Sequence, residues 1–345
     1  MRWPIKATVL KLVKIALLAI ITLPWPLYAE TLAEIRIGGV DSLGDLPTLV
    51  ADQHALFSAE NLSASVDYSL SGEQNLDLLR NRQTDFALMS LTPVVLDMLT
   101  DTTPGGADDP VILASLVHST RFNQVVALAD RRLREPHHLA GKRVGLMRGT
   151  NAEFTWWLFA AYHKLDTASI AIIDYRIDAI TDALINGDID AAVIWEPWSA
   201  YIEQQAGQDI HRFPGSNIYA AKWILVTRRE MIEQNPAVIT AVLRAYQNAI
   251  NIIDAEPAQA LRLYFDHSQL AGASLPVSAE TLAYDLSLDW SLIATFRQQL
   301  DWAKRAGYVQ VAEAPPILSM IAPQFLRALS PSAIGLPHIN ESALP

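Results

Sequence analysis

Four times along this chain a short apolar run breaks into a small polar turn and a helical run begins at once. Ile35–Val40 runs into Asp41–Asp45, Ala64–Leu70 into Ser71–Gly72, Asp85–Met89 into Ser90–Thr92, and Arg143–Met147 into Gly149–Asn151. Runs of 5–7 apolar or β-branched residues alternating with helical periodicity predict an α/β fold built largely on parallel strands. The helices announce their starts: Ser71 with Gln74 and Thr150 with Glu153 stand at capping-box spacing, and Pro47 falls where a first helical turn tolerates proline. Val111–Val117 and Gln124–Ala129 read as strands around a polar joint, His118–Asn123, after which the pattern restarts. Further strands are expected at Ile170–Tyr175, Asp190–Ile194 and Ala221–Thr227, with a helix at Ile177–Ile185. Beyond them the sequence predicts helices over Pro236–Ala255, Pro257–Phe265, Ala279–Ala283, Ser291–Ala306 and Pro315–Leu329, then a loosely packed tail from Pro331.

The first thirty residues have a different character. Arg2, Lys6, Lys11 and Lys14 precede the apolar run Ile15–Leu23, and Leu27-Tyr28-Ala29 offers a small residue at a cleavage point, the layout of a secretory signal peptide over residues 1–29. The run is well short of the ~20 residues a spanning helix needs, which disfavours an uncleaved anchor. A periplasmic location is expected. With 26 basic against 37 acidic residues, a formal net charge of −11 repels phosphate backbones and anionic lipid, so nucleic acid is not expected as a partner. Cysteine is absent, which excludes disulfides, thiolate metal sites, a cysteine nucleophile and a lipid-modified cysteine.

Ligands of open α/β sheets sit at the carboxyl ends of strands, where helix N-termini present free N–H groups. The four polar turns therefore define a candidate site for one small solute. Each Ser, Thr or Asp there is equally a good helix cap, and the two readings are compatible because a backbone N–H can face a ligand while the side chain caps. Glu196, after the apolar strand Asp190–Ile194, is either a ligand contact or half of a hinge ion pair. Beside an anion-binding turn its carboxylate would repel a simple anion, which favours a ligand that also carries a cationic or N–H-rich group. Trp195 shares this turn and is the first candidate for stacking, with Trp156 and Trp223 as others; Trp157 and Trp198 read as core. Arg121, Arg148 and Lys222 read as solvated loop residues able to meet an anionic group.

Four segments, IRIGGVDSLGDLPTLVADQHAL (35–56), SGEQNLDLLRNRQTDFALMS (71–90), LAGKRVGLMRGTNAEF (139–154) and LINGDIDAAVIWEPW (184–198), together resemble the NMT1/SsuA-like substrate-binding proteins, a type II periplasmic binding-protein family. The resemblance covers roughly residues 35–253, and it departs from the family at Asp85–Ser90, where Ala87 and Met89 replace smaller positions. It implies two α/β lobes, each a mostly parallel sheet flanked by helices, joined by two hinge strands: residues 30–121 and 219–345 in one lobe, 122–218 in the other. It further implies a sulfonate, taurine, nitrate or thiamine-precursor pyrimidine as ligand, delivered to the permease and ATPase subunits of an ABC importer by a monomeric binding protein. Carried onto this chain, ligand contacts fall on Asp41, Ser42, Leu43, Ser71, Gly72 and Ser90 in the first lobe and on Gly149, Thr150, Asn151 and Glu196 in the second, with Trp195 beside them.

No catalytic residue, metal site or cofactor is expected. The histidines show no metalloprotease spacing, and neither a G-x-S-x-G elbow nor a phosphate loop occurs. An enzyme of the pyrimidine-synthase branch of the same family needs a cysteine-rich motif that this chain lacks. A ligand-sensing subunit of a membrane receptor is the other alternative, and the sequence does not separate it from transport.

Overall fold

The structure, a computed structural model, describes residues 32–100, 105–270, 275, 277, 281–309 and 316–336. The expected signal peptide, the start of the expected helix at Ala279 and the end of the tail lie outside the described residues. Strands β1 (Ala33–Val40), β2 (Leu62–Ser69), β3 (Phe86–Ser90), β4 (Pro110–Ser119), β10 (Ala221–Arg228) and β11 (Ala283–Ser287) form one sheet in the order β11-β4-β10-β3-β1-β2. A second sheet, β7-β6-β8-β5-β9, gathers β5 (Asn123–Leu128), β6 (Arg143–Leu146), β7 (Ala171–Asp174), β8 (Ala191–Trp195) and β9 (Ile210–Arg212). Both sheets are mixed. Parallel triplets β2-β1-β3 and β7-β6-β8 carry the strand-turn-helix units, whereas strands that pass between the sheets, β4, β5 and β10, run antiparallel to their neighbours. The predominance of parallel strands expected from sequence holds for the triplets only, because a chain that crosses out of one sheet and returns must reverse direction.

Every residue of β3, β8 and β10 is buried, as strands covered on both faces require. The helices relevant below are α1 (Leu46–Gln53), α2 (Gly72–Arg80), α3 (Leu91–Thr100), α4 (Asn151–Tyr162), α5 (Ile177–Asn186), α6 (Trp198–Ala206), α7 (Pro236–Ala255), α8 (Pro257–His267) and α9 (Trp290–Arg305).

The two sheets share a device at their amino ends. Arg36 of β1 donates from Nη2 to the Arg82 carbonyl at 2.8 Å and pairs with Asp85, just before β3. Arg143 of β6 repeats this with the Gly187 carbonyl at 2.7 Å and with Asp190, just before β8. Arg82 (φ 59°) and Gly187 (φ 80°) both turn left-handed after their helices. Burial pushes the Asp85 and Asp190 carboxyls up, but hydrogen bonds from their arginines outweigh it and hold both below the usual range. These clamps fix one end of each sheet and leave the opposite, carboxyl ends to the polar turns.

Several sequence expectations change. Ala283, the expected end of a helix, instead opens the strand Ala283–Ser287, because β4 offers a free edge on which Ala283 and Tyr284 pair with His118 and Val117. The helix expected over Pro315–Leu329 breaks into Ile317–Met320 and Pro323–Leu329, since Ala322 N–H donates to the Ile112 carbonyl at the end of the sheet and Pro323 restarts the helix. The polar joint shrinks to Thr120–Phe122, its flanks being absorbed into β4 and β5.

Candidate functional site

At the first sheet's strand ends, most turn groups are engaged within their own turn. Past Val40, Ser42 accepts from Gly44 N–H at 3.2 Å, capping the short turn Leu43–Asp45. Leu43 is fully buried and its carbonyl accepts from the Tyr284 hydroxyl at 2.9 Å. A Cβ on Gly44 would stand 2.2 Å from Trp223 Cε2, so the backbone lies against the indole as only glycine allows. Ser71 caps α2 by accepting from Gln74 N–H at 3.3 Å, while Gln74 Oε1 takes Leu70 N–H at 3.2 Å, a capping box displaced by one residue. Gly72 admits no side chain, because its Cβ would come 2.7 Å from that of Met89. Ser90 closes β3 opposite Trp223. Asp41 departs from this set: its carboxylate accepts from Gln269 N–H at 2.7 Å and lines a separate cavity with Tyr68 and Tyr264.

The second sheet's turns differ. Gly149, at φ 71°, donates its N–H to Glu153 at 2.9 Å, and Glu153 also accepts from Arg148 at 3.0 Å and from the Tyr308 hydroxyl at 2.8 Å. Thr150 caps α4 through Ala152 N–H and donates to the Met147 carbonyl. Asn151 follows, buried, with Nδ2 unpartnered. Trp195 ends β8, buried, directly opposite Asn123 of β5. Glu196 comes next. Its Oε1 accepts from Gln124 Nε2 at 2.7 Å and from the Ser199 hydroxyl, while Oε2 is buried without a partner. Burial raises the Glu196 pKa against the opposing pull of Ser199, Arg212 and Gln124. Arg212 pairs with Glu203 at 2.8 Å and acts on Glu196 through its charge without direct contact, so among the described residues Glu196 stands in no ion pair.

Register brings these groups to one end of each sheet. Trp223 lies across from Ser90, Asn123 across from Trp195, Thr92 stands two residues past β3, and Asn151 opens the helix after β6. Five buried side-chain atoms here have no hydrogen-bond partner: Thr92 Oγ1, Trp223 Nε1, Asn123 Oδ1, Asn151 Nδ2 and Glu196 Oε2. The two sheets meet beside them, where Phe122 packs edge-on to Trp223 with ring centroids 6.0 Å apart. Glu73 of α2 also lies 3.5 Å from where a Gly149 Cβ would be. Buried polar atoms are normally paired, so orphans that include both donors and acceptors at this end of the two sheets mark where a polar molecule would be accepted.

Sequence reasoning named Glu196, Asn151 and Trp223, reached Thr92 only as the end of the Ser90–Thr92 turn and passed over Asn123; Thr92 lies in the first turn of α3 and Asn123 opens β5, and only strand register shows that they reach the same end. Trp156 is buried with its ring stacked against that of Phe159, centroids 6.0 Å apart. Lys222 is not a solvated loop residue: it is a buried β10 residue whose ammonium lies 3.7 Å from Asp289. Arg148 is exposed and paired with Glu153, and Arg121 is exposed.

The NMT1/THI5 like family profile matches residues 45–260. A Bacillus subtilis (strain 168) protein, with an inferred assignment as an aliphatic sulfonates-binding protein, is 23% identical over 246 residues, covering 70% of this chain and 71% of that one. Among solved structures, the alkanesulfonate-binding protein SsuA from Xanthomonas axonopodis pv. citri bound to MOPS superposes with a TM-score of 0.69 at 17% identity, covering 84% of this chain and 98% of that one. The desulfurization enzyme DSZB superposes with a TM-score of 0.62 at 13% identity, over 86% of this chain and 98% of that one. At these identities the superpositions establish the shared fold.

Proposed function

Because the chain belongs to the NMT1/THI5 like family, we propose that it is an exported solute-binding protein that captures a small polar solute between its two sheets and delivers it to the permease and ATPase of an ABC importer. In this reading residues 30–121 with 219–345 form one lobe and residues 122–218 the other, and closure of the monomer is the two-state element that the importer recognises. Support comes from the kinship to sulfonate-binding proteins. The carrying observation is the set of orphaned buried atoms at the facing strand ends.

Those atoms also narrow the solute. Trp223 Nε1–H and Asn151 Nδ2–H₂ are donors and suit an oxygen-rich or anionic group, helped by the amide ends of α2 and α4. Glu196 is an acceptor and suits an ammonium or N–H group. A solute with both, an aminosulfonate such as taurine or an aminopyrimidine, matches better than nitrate, which would leave Glu196 facing an anion. The turns at Ser42–Leu43, Ser71–Gly72, Ser90 and Gly149–Asn151, with Trp195 and Glu196, would wall the site; Asp41 is turned aside.

Thermal unfolding of the purified chain against these solutes tests the reading, since a ligand at about a hundred times its Kd adds ~2.7 kcal/mol. A raised Tm with the solute recovered unchanged is the expected result. Chemical conversion of the bound solute would replace the binding-protein reading with an enzymatic one.

A further inference from the structure

The side of the first turn that faces β2 and the end of α8 holds a second, partly open cavity of about 90 Å³. Asp41, Asp45, Tyr68, Tyr264, His267 and Ser268 line it, and among its described lining residues there is no lysine or arginine; the His267 imidazole is engaged with the Leu263 carbonyl at 2.9 Å. Asp45 is 1% exposed; its Oδ2 accepts from Val40 N–H at 2.6 Å, and its Oδ1 is buried with no partner. Asp45 precedes α1 as its N-cap; Thr48 approaches it from the first turn and eases its burial, yet no capping bond of normal geometry forms and Oδ1 is left unsatisfied. Gly39 lets the neighbours close in: a Cβ there would meet the Tyr68 ring at 2.8 Å and Asp45 Oδ2 at 3.0 Å. Asp41, a few residues away, has one oxygen held by Gln269 N–H.

A buried carboxylate with one oxygen left unpartnered is costly unless a cation or a proton neutralises it. Two carboxylates, tyrosine rings and a serine hydroxyl around a small void match a cation in both charge and ring electrostatics. Among the described residues no group of three or more His, Cys, Asp or Glu converges to hold a metal ion, which argues against a divalent cation with its many hard ligands. We propose that the cavity between Asp41 and Asp45 binds a small monovalent cation, separately from the solute site between the sheets.

The test compares melting temperatures of the full chain in ammonium, sodium, potassium and choline chloride at one ionic strength; choline is the control because its methyl-shielded nitrogen neither donates a hydrogen bond nor takes an oxygen ligand directly. Expected is a saturating rise of roughly 2–4 °C in at least one of the first three salts. A larger rise with ammonium would assign the selectivity to rings and carboxylates, and a larger rise with an alkali ion to oxygen ligation. Asp45→Asn should lose the salt-specific rise while keeping the wild-type circular dichroism spectrum, and Tyr68→Leu should raise the half-saturating concentration several-fold. Equal melting temperatures in all four salts, or a rise that persists in Asp45→Asn, would overturn the proposal, since a bound proton alone would then neutralise Asp45.

Discussion

The turns at the ends of the two sheets come from similar strand-turn-helix units, yet they are finished differently. In the first sheet Ser42 and Ser71 are occupied as caps, the Leu43 carbonyl is taken by Tyr284, and Gly44 and Gly72 press against Trp223 and Met89. In the second, Thr150 caps α4, but Asn151 and Glu196 beside it keep buried atoms free. On the side of the solute site the first sheet's free atoms come from Trp223 and Thr92, outside the capped turns, whereas Asp45 Oδ1 in the first turn belongs to the neighbouring cavity. One side therefore supplies a shaped, self-satisfied wall with an indole in it, and the other supplies much of the side-chain recognition.

Glu196→Gln should separate these roles most sharply. An amine-bearing solute would lose its charged partner, for an expected affinity loss of about a hundredfold, within the range for truncating a buried charge pair. The unliganded variant should melt higher than wild type at neutral pH. Burial holds the folded Glu196 pKa above its ordinary 4.5, so the carboxylate's cost is absent at low pH and destabilises the protein as pH rises through that window. Unchanged affinity, read by calorimetry, would remove Glu196 from the site.

Gly44→Ala attacks the shaped wall. With the new Cβ 2.2 Å from Trp223 Cε2, the indole must shift, at an expected cost of about 1–3 kcal/mol in stability and a loss of affinity as Nε1 moves. A variant with wild-type melting and binding would show that the wall is not tightly packed.

A pair of alanine substitutions offers a finer contrast. Asn151→Ala should weaken binding by roughly tenfold, the scale of one hydrogen bond, with little change in melting because Thr150 is the cap. Ser42→Ala should cost about 1 kcal/mol of stability and leave affinity nearly unchanged. The opposite pattern would invert the assignment of roles. The smallest effect concerns protons: a cationic group against Glu196 lowers its raised pKa, so binding at a pH within the titration window should release a proton, seen as a buffer-dependent calorimetric heat.

Strand-turn-helix units were legible in the sequence because their apolar runs and caps are local signals, as at Ser71 and Thr150. The candidate site was legible to the same depth: its turns were visible, and Glu196 and Asn151 with them. Hidden from sequence were facts set by pairing across the sheet. Trp223 meets Gly44, and Asn123 meets Trp195, only through register. Lys222 looked like a loop residue until β10 buried it beside Asp289. Asp41 reads as a site residue by position, but Gln269, far along the chain, draws its carboxylate into the neighbouring cavity. The edge strand Ala283–Ser287 forms only because β4 presents an unpaired edge, a tertiary condition that local periodicity does not encode.

Calorimetric titration with taurine, ethanesulfonate, an aminopyrimidine and nitrate tests the central claim, because taurine and ethanesulfonate share a sulfonate and differ in the amine that Glu196 would meet. The account predicts that an amine-bearing solute binds, that taurine exceeds ethanesulfonate by about tenfold or more, and that Glu196→Gln erases the difference. Equal binding of taurine and ethanesulfonate, preferential binding of nitrate, or no binding of any of the four would contradict it.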